Sequence, residues 1–197
     1  MRKIAGFIVA GSLAAGLFAA APGVIAKEQK DKKPAMTAEQ KETERQARLK
    51  IAADGLEKLY KIQPDARQAV EKAVGYAVFD ISSIYAILLV GQKGKGVLFD
   101  NATKKPTFML STRAGTGPGI GQQRVFQVFV FKTKGAMDQF QLAGGTGGDI
   151  SGSISTGTDG SVRSFNPEID IYQIPESGMA VQASWGGTVY SVDTDLQ

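Results

Sequence analysis

The sequence predicts an α+β domain: two N-terminal helices, then a mostly antiparallel, glycine-rich β-sheet or barrel-like sandwich of about eight strands with one short inserted helix. Three observations predict it. Helical spacing is confined to residues before Gly75 and to one stretch ending near Phe140. From Tyr76 onward, short apolar runs alternate with clusters of Gly, Ser, Asn and Asp. Most connections between those runs are too short for crossovers, which requires antiparallel neighbours.

The 197-residue chain opens with Arg2-Lys3, an apolar stretch from Ile4 to Ala21, and Val24-Ile25-Ala26 before Lys27. This is the pattern of a secretory signal peptide over residues 1–26. An uncleaved anchor is the alternative, because about 18 apolar residues approach a membrane span. Gly6, Gly11, Ser12, Gly16 and the Pro22-Gly23 break favour cleavage. The expected location is therefore periplasmic or secreted, with peripheral contact to a membrane allowed. Residues 27–36, KEQKDKKPAM, read as a disordered linker. Residues 37–197 are long enough for one domain with its own core.

Thr37 and Gln40 have capping-box spacing, and the helix they open should run to the break at Pro64. Leu49, Ala52, Leu56 and Leu59 give its second half an apolar face, whereas 38–48 are polar. A second short helix carries Ala66, Ala69, Val70 and Ala73 and stops at Gly75. Strands are expected at Tyr76 to Phe79, Ile84 to Val90, Val97 to Phe99 and Thr107 to Thr112, with turns at GQKGKG (91–96) and Asp100 to Lys105. A glycine-rich connection, Ala114 to Gln123, then leads to Val125–Phe131, whose two faces are both apolar except at Gln127. That marks a central, doubly covered strand. Thr133 reads as the N-cap of the inserted helix, with Met137 and Phe140 on one face and Gly144-Gly145 as its stop. Ile150, Gly152 and Ile154 alternate with serines as a further strand. Ile169 to Ile174, Met179 to Trp185 and Val189 to Val192 complete the set.

At this point the chain resembles a family. GYAVF (75–79), GKGVL (94–98), GIGQQRVFQVFVFKTKGAMDQF (119–140) and SGMAVQASWGG (177–187) together are similar to the SYLF domain, over roughly residues 50–192. The resemblance implies a lipid-binding domain. Eukaryotic members associate with phosphoinositides and other anionic phospholipids, and some bind actin filaments, a partner not expected for a chain carrying this signal-peptide pattern. The family also links membrane binding to an amphipathic N-terminal helix, and residues 38–48 lack the apolar face this needs.

The residues themselves exclude most catalysis. There is no His and no Cys, hence no Ser-His-Asp triad, no thiolate and no ordinary zinc site. Glu168 and Asp170 share a strand face and could in principle support acid–base chemistry, but the solvated face of a strand whose other side carries Ile169 and Ile171 is the preferred reading. GGTGGD (144–149) starts like a calcium-binding β-roll repeat but lacks tandem copies and has Ser151 at a position requiring a large apolar residue. Asn101-Ala102-Thr103 is a glycosylation sequon. No GK[ST] follows the glycine run, so no nucleotide P-loop forms. The protein is expected to be no enzyme, to carry no cofactor and to bind no nucleic acid.

Charge is segregated. Residues 93–134 hold eight cations and one anion, Asp100, whereas 135–197 hold Arg163 against eight anions. With turns at GQKGKG and Ala114–Gln123, Lys93, Lys95, Arg113 and Arg124 gather at one end of the sheet. Lys104, Lys105, Lys132 and Lys134 lie at the other, roughly 25 Å away. Only the first cluster joins cations to glycine-rich turns, where bare N–H groups can meet a phosphate. The expected headgroup site is Lys93, Lys95, Arg113 and Arg124 with Gly94, Gly117 and Gly119; solvated turn lysines and glycines serving close packing are the alternative. The partner is then an anionic phospholipid or membrane surface, bound peripherally and weakly. A structural or protein-interaction module of the envelope is the second reading.

Overall fold

In the computed structural model, which describes residues 35–146, 155–156, 161–163, 166–176 and 185–197, the fold begins at the capping box. The Gln40 N–H donates to Thr37 Oγ1 at 3.2 Å, and the Thr37 N–H donates to Gln40 Oε1 at 2.9 Å. Helix α1 then runs over Ala38–Ile62 and ends before Pro64, which starts α2, Asp65–Lys72. The buried side of α1 is Arg48, Ala52, Gly55 and Leu59, rotated slightly from the expected Leu49-Leu56 face, which is half-buried. Gly55 explains the rotation: a Cβ there would lie 2.9 Å from both Phe126 and Val78, so the helix crosses the sheet where it has no side chain. Met36, assigned by its charged neighbours to the linker, packs against the same apolar cluster. The expected signal peptide and residues 27–34 lie outside the described residues.

The sheet differs most from expectation. Three of the expected strands are one strand, β1, Gly75–Asp100, and two more are one strand, β2, Pro106–Phe131. GQKGKG is not a turn, and Ala114 to Gln123 is not a connection; both are paired backbone within a long antiparallel hairpin whose ladder runs from Gly75–Phe131 to Phe99–Pro106. Glycine permits a turn without requiring one, and cross-strand hydrogen bonds decided the matter. The turn that does exist, 101–105, is closed by Asp100, whose carboxylate accepts from the N–H groups of Ala102 and Thr103 at 2.7 and 3.0 Å.

A hairpin this long cannot stay flat and bury its apolar faces, and β1 returns on itself. The Asn101 N–H donates to the Val74 carbonyl at 2.9 Å, and the Tyr76 and Phe99 rings stack with centroids 5.0 Å apart. Gly96 lies against the ring of Phe79, and a Cβ at Gly94 would sit 3.2 Å from the Asp80 carbonyl. The bend falls near residues 84–92 and 115–122, where the register shifts between Ile87 and Leu89 and Ile87 takes a left-handed φ of 61°. There the facing alternation switches: Ala77, Phe79 and Ile81 join one core cluster before the bend, and Leu98 joins it afterwards while Val97 faces the other.

Val125–Phe131 is central, paired to β1 on one side and to β5, Ile169–Pro175, on the other, and every one of its residues is buried. The first half of β2 instead pairs with β6, Trp185–Val192. Two short strands, β3 (Ser155–Thr156) and β4 (Ser161–Arg163), continue beyond β5. The described residues thus form a six-stranded antiparallel sheet. The expected strand at 150–154 and all of the expected strand 179–185 except Trp185 lie outside the described residues; Trp185 opens β6. Helix α3, Lys134–Thr146, opens where the Ala136 N–H donates to Thr133 Oγ1 and packs Met137 and Phe140 onto one face of the sheet. There Phe79, Phe129, Phe140 and Tyr190 form a ring cluster with centroids 5.0 to 6.1 Å apart. Helices α1 and α2 cover the other face, over Val78, Val97, Phe108, Phe126 and Val128.

Candidate functional site

Folding β1 back on itself creates the site. Asp80 and Ser82 from before the bend face Lys93, Gly94 and Lys95 from after it. Together with Leu110, Ser111 and Thr112 of β2, they line an open cavity of about 370 Å³. Two ammonium groups and three hydroxyls around such a space suit a phosphate or phosphodiester, since each can donate a hydrogen bond to an anionic oxygen.

The cations of the expected site have different circumstances. Lys93 is exposed and makes no ion pair among the described residues. Lys95 Nζ lies 2.7 Å from Glu44 Oε1 of α1, which also accepts from Arg48 Nε at 3.0 Å. Burial alone would raise the Glu44 carboxyl, but the hydrogen bonds from Lys95 and Arg48 outweigh it and hold the group below the usual carboxylate range. Arg124 grips Asp80 with two donors, at 2.7 and 2.5 Å, and reaches Glu176 at 3.3 Å. Its hydrogen bonds to Asp80 strengthen its hold on the proton further. Arg124 is therefore committed to protein carboxylates at the cavity rim, where it neutralises Asp80. Arg113 sits opposite Gln92 in the ladder, and strand alternation puts it on the face opposite its neighbour Thr112.

The structure thus brings Lys93, Gly94 and Lys95 together, holds Arg124 at the edge through Asp80, and leaves Arg113, Gly117 and Gly119 out of the cavity. The last two lie in the bend, with Gly119 opposite Ile87. Gly94 serves packing as well as access, because a Cβ there would run into the Ser111 hydroxyl and lie 3.0 Å from Ile81. The expected separation of the second cation group holds for a different reason. Lys132 pairs with Asp170 and Lys134 with Asp138, both 2.7 Å apart, near the ends of β1 and β2 remote from the bend.

Asp80, Ser82, Ser111, Thr112 and Glu44 complete the cavity and its surroundings and were not expected there. No local pattern marks them, since contact between residues 80–82 and 93–95 depends on a bend that neighbouring residues do not encode. Glu168 and Asp170 have separate partners: Glu168 accepts from Thr133 Oγ1 at 3.0 Å, while Asp170 pairs with Lys132. Among the described residues no cluster of carboxylates could hold a metal ion, and no helix is long and apolar enough to cross a membrane.

No family model matches the chain. Over 158 residues it is 34% identical to Beta cell expansion factor A of Aeromonas veronii. The match spans 78% of this chain but 60% of that relative's length.

Proposed function

We propose that the chain is an exported, non-catalytic protein of SYLF type that binds anionic phospholipid headgroups peripherally at the cavity between Asp80-Ser82 and Lys93-Gly94-Lys95. The observation that carries this reading is the pairing of an uncommitted ammonium, Lys93, with hydroxyls in an open cavity of about 370 Å³. The fold-back of the hairpin is also what supports a barrel-like description of the domain. Each cation near an anionic surface contributes about 1 kcal/mol, so two provide weak, salt-sensitive and reversible binding. Arg124 and Arg113 play no part in the contact on this reading.

The test is co-sedimentation of the protein with phosphatidylglycerol-containing vesicles at low salt. Lys93→Ala together with Lys95→Ala should weaken binding by roughly 30-fold, the equivalent of about 2 kcal/mol. Unchanged binding by the folded double variant refutes the assignment. The second reading, an envelope module that engages a protein, is favoured by the position of β1 at the end of the strand order among the described residues, where an added strand could pair. It predicts a discrete complex on pull-down and no affinity for vesicles. The name of the relative speaks of an effect on beta cells and specifies neither kind of partner.

A further inference from the structure

The bend of the hairpin carries an exposed aliphatic surface. Ile84, Ile87, Leu88, Leu89 and Ile120 are each between 60 and 82% exposed, and all lie in β1 or β2, paired across the hairpin except Leu88 at the register shift. Five large aliphatics at one turn of the fold are a contiguous feature, unlike the scattered apolar residues normal on a surface. Their exposure has a structural cause. The register shift and the left-handed Ile87 interrupt the alternation, so that residues 86–89 all face solvent in succession. A β-branched residue at positive φ is unfavourable, and such strain persists where the surrounding structure imposes it, often at functional sites.

We infer that this apex inserts shallowly into the acyl boundary of an anionic bilayer, anchoring the protein while the neighbouring cavity takes a headgroup. The inference rests on the phospholipid reading above. Charge selects the occupant. The stretches 81–99 and 110–125, which contain the apex and its flanks, include Lys93, Lys95, Arg113 and Arg124 and no Asp or Glu. Lys95 and Arg124 are paired with Glu44 and Asp80, but the apex itself, residues 84–92 and 115–122, has no charged residue, and Lys93 stands exposed beside it. An uncharged apolar tip next to an open ammonium is complementary to acyl chains beneath anionic headgroups. Two copies meeting apex to apex would instead bring like charges together. Position agrees as well: Ile84 follows Ser82 of the cavity on the same strand face. Backbone chemistry limits the depth. Among the described residues the apex segment of β1 pairs only with β2, and unsatisfied N–H and C=O groups are costly in hydrocarbon, so the side chains enter while the strand stays at the interface.

The absence of native cysteine makes the test clean. The full chain carrying Leu88→Cys, labelled with an environment-sensitive fluorophore, is mixed with vesicles of phosphatidylglycerol and phosphatidylcholine; Lys72→Cys, on α2, is the control. A blue shift and shielding from iodide at position 88 but not 72 are expected. Leu88→Ser with Leu89→Ser should lower vesicle affinity on the order of 100-fold, about 10-fold for each aliphatic side chain withdrawn from the bilayer. Vesicle binding with position 88 still open to iodide overturns insertion and leaves headgroup binding standing. Failure of the unsubstituted protein to bind vesicles removes both. A shift that appears without vesicles and grows with protein concentration assigns the apex to a second copy of the chain.

Discussion

Replacing Asp193 by Ala tests how α1 is fastened to the sheet. Arg48 is 4% exposed and Asp193 8% exposed; their Nη2 and Oδ2 atoms are 2.7 Å apart. Arg48 also donates to the Met109 carbonyl at 3.2 Å and to Glu44 at 3.0 Å. Removing one partner from a buried pair leaves an uncompensated charge and typically costs about 3–5 kcal/mol. Glu44 remains and is partly solvated, which places Asp193→Ala near the lower end, about 3 kcal/mol. In a domain of this size each kcal/mol moves the melting temperature by about 2–4 °C, so a fall of about 6–12 °C is expected. The companion variant Arg48→Met with Asp193→Leu removes both charges and should return to within about 2 kcal/mol of the original, since apolar replacements of buried pairs are often neutral. Urea denaturation followed by far-ultraviolet circular dichroism measures both, with the slope m checked for constancy. A loss below about 1 kcal/mol for Asp193→Ala would mean that water screens the pair, contrary to its burial.

Two further expectations concern the cavity and the fold-back. Glu44→Gln frees Lys95 and should raise affinity for anionic vesicles by up to about 5-fold, opposite in sign to the lysine substitutions. The same variant should also flatten the acid limb of the stability curve. The folded Glu44 carboxyl lies below its ordinary value of 4.5, so its contribution is complete above that pH and lost as pH falls through the lower folded value. An unaltered acid limb in denaturant titrations between about pH 5 and 3 would count against the Glu44 pairing. Gly96→Val would place a Cβ 2.6 Å from Phe79 Cγ and Cε1, in a ring cluster with no room to yield. A loss of about 1–3 kcal/mol is expected by chemical denaturation, and a neutral result would contradict the close approach of the two arms of β1.

Some of this was legible along the chain and some was not. The capping box at Thr37, the break at Pro64 and the Thr133 cap are local patterns satisfied by neighbours a few residues away, and the doubly apolar strand Val125–Phe131 shows in its own composition although its partners are distant. The strand boundaries were not legible, because Gly91, Gly94 and Gly96 read as turn residues and the alternation of apolar positions slips at the bend. Lys93, Gly94 and Lys95 were recognisable as candidates from charge and glycine content. Their opposite wall, Asp80 and Ser82, was not, and neither was the commitment of Arg124 to Asp80 and Glu176.

Residue types by themselves determined the lack of any imidazole or thiol, the segregation of charge and the covered central strand, since these depend on composition and near-neighbour spacing. Tertiary structure decided where β1 bends, which glycines meet side chains, which cations are already paired and which aliphatics remain outside. The physical reason is that each of these depends on contacts between positions more than ten residues apart. A strand carries no record of its own curvature until its two halves bury one another.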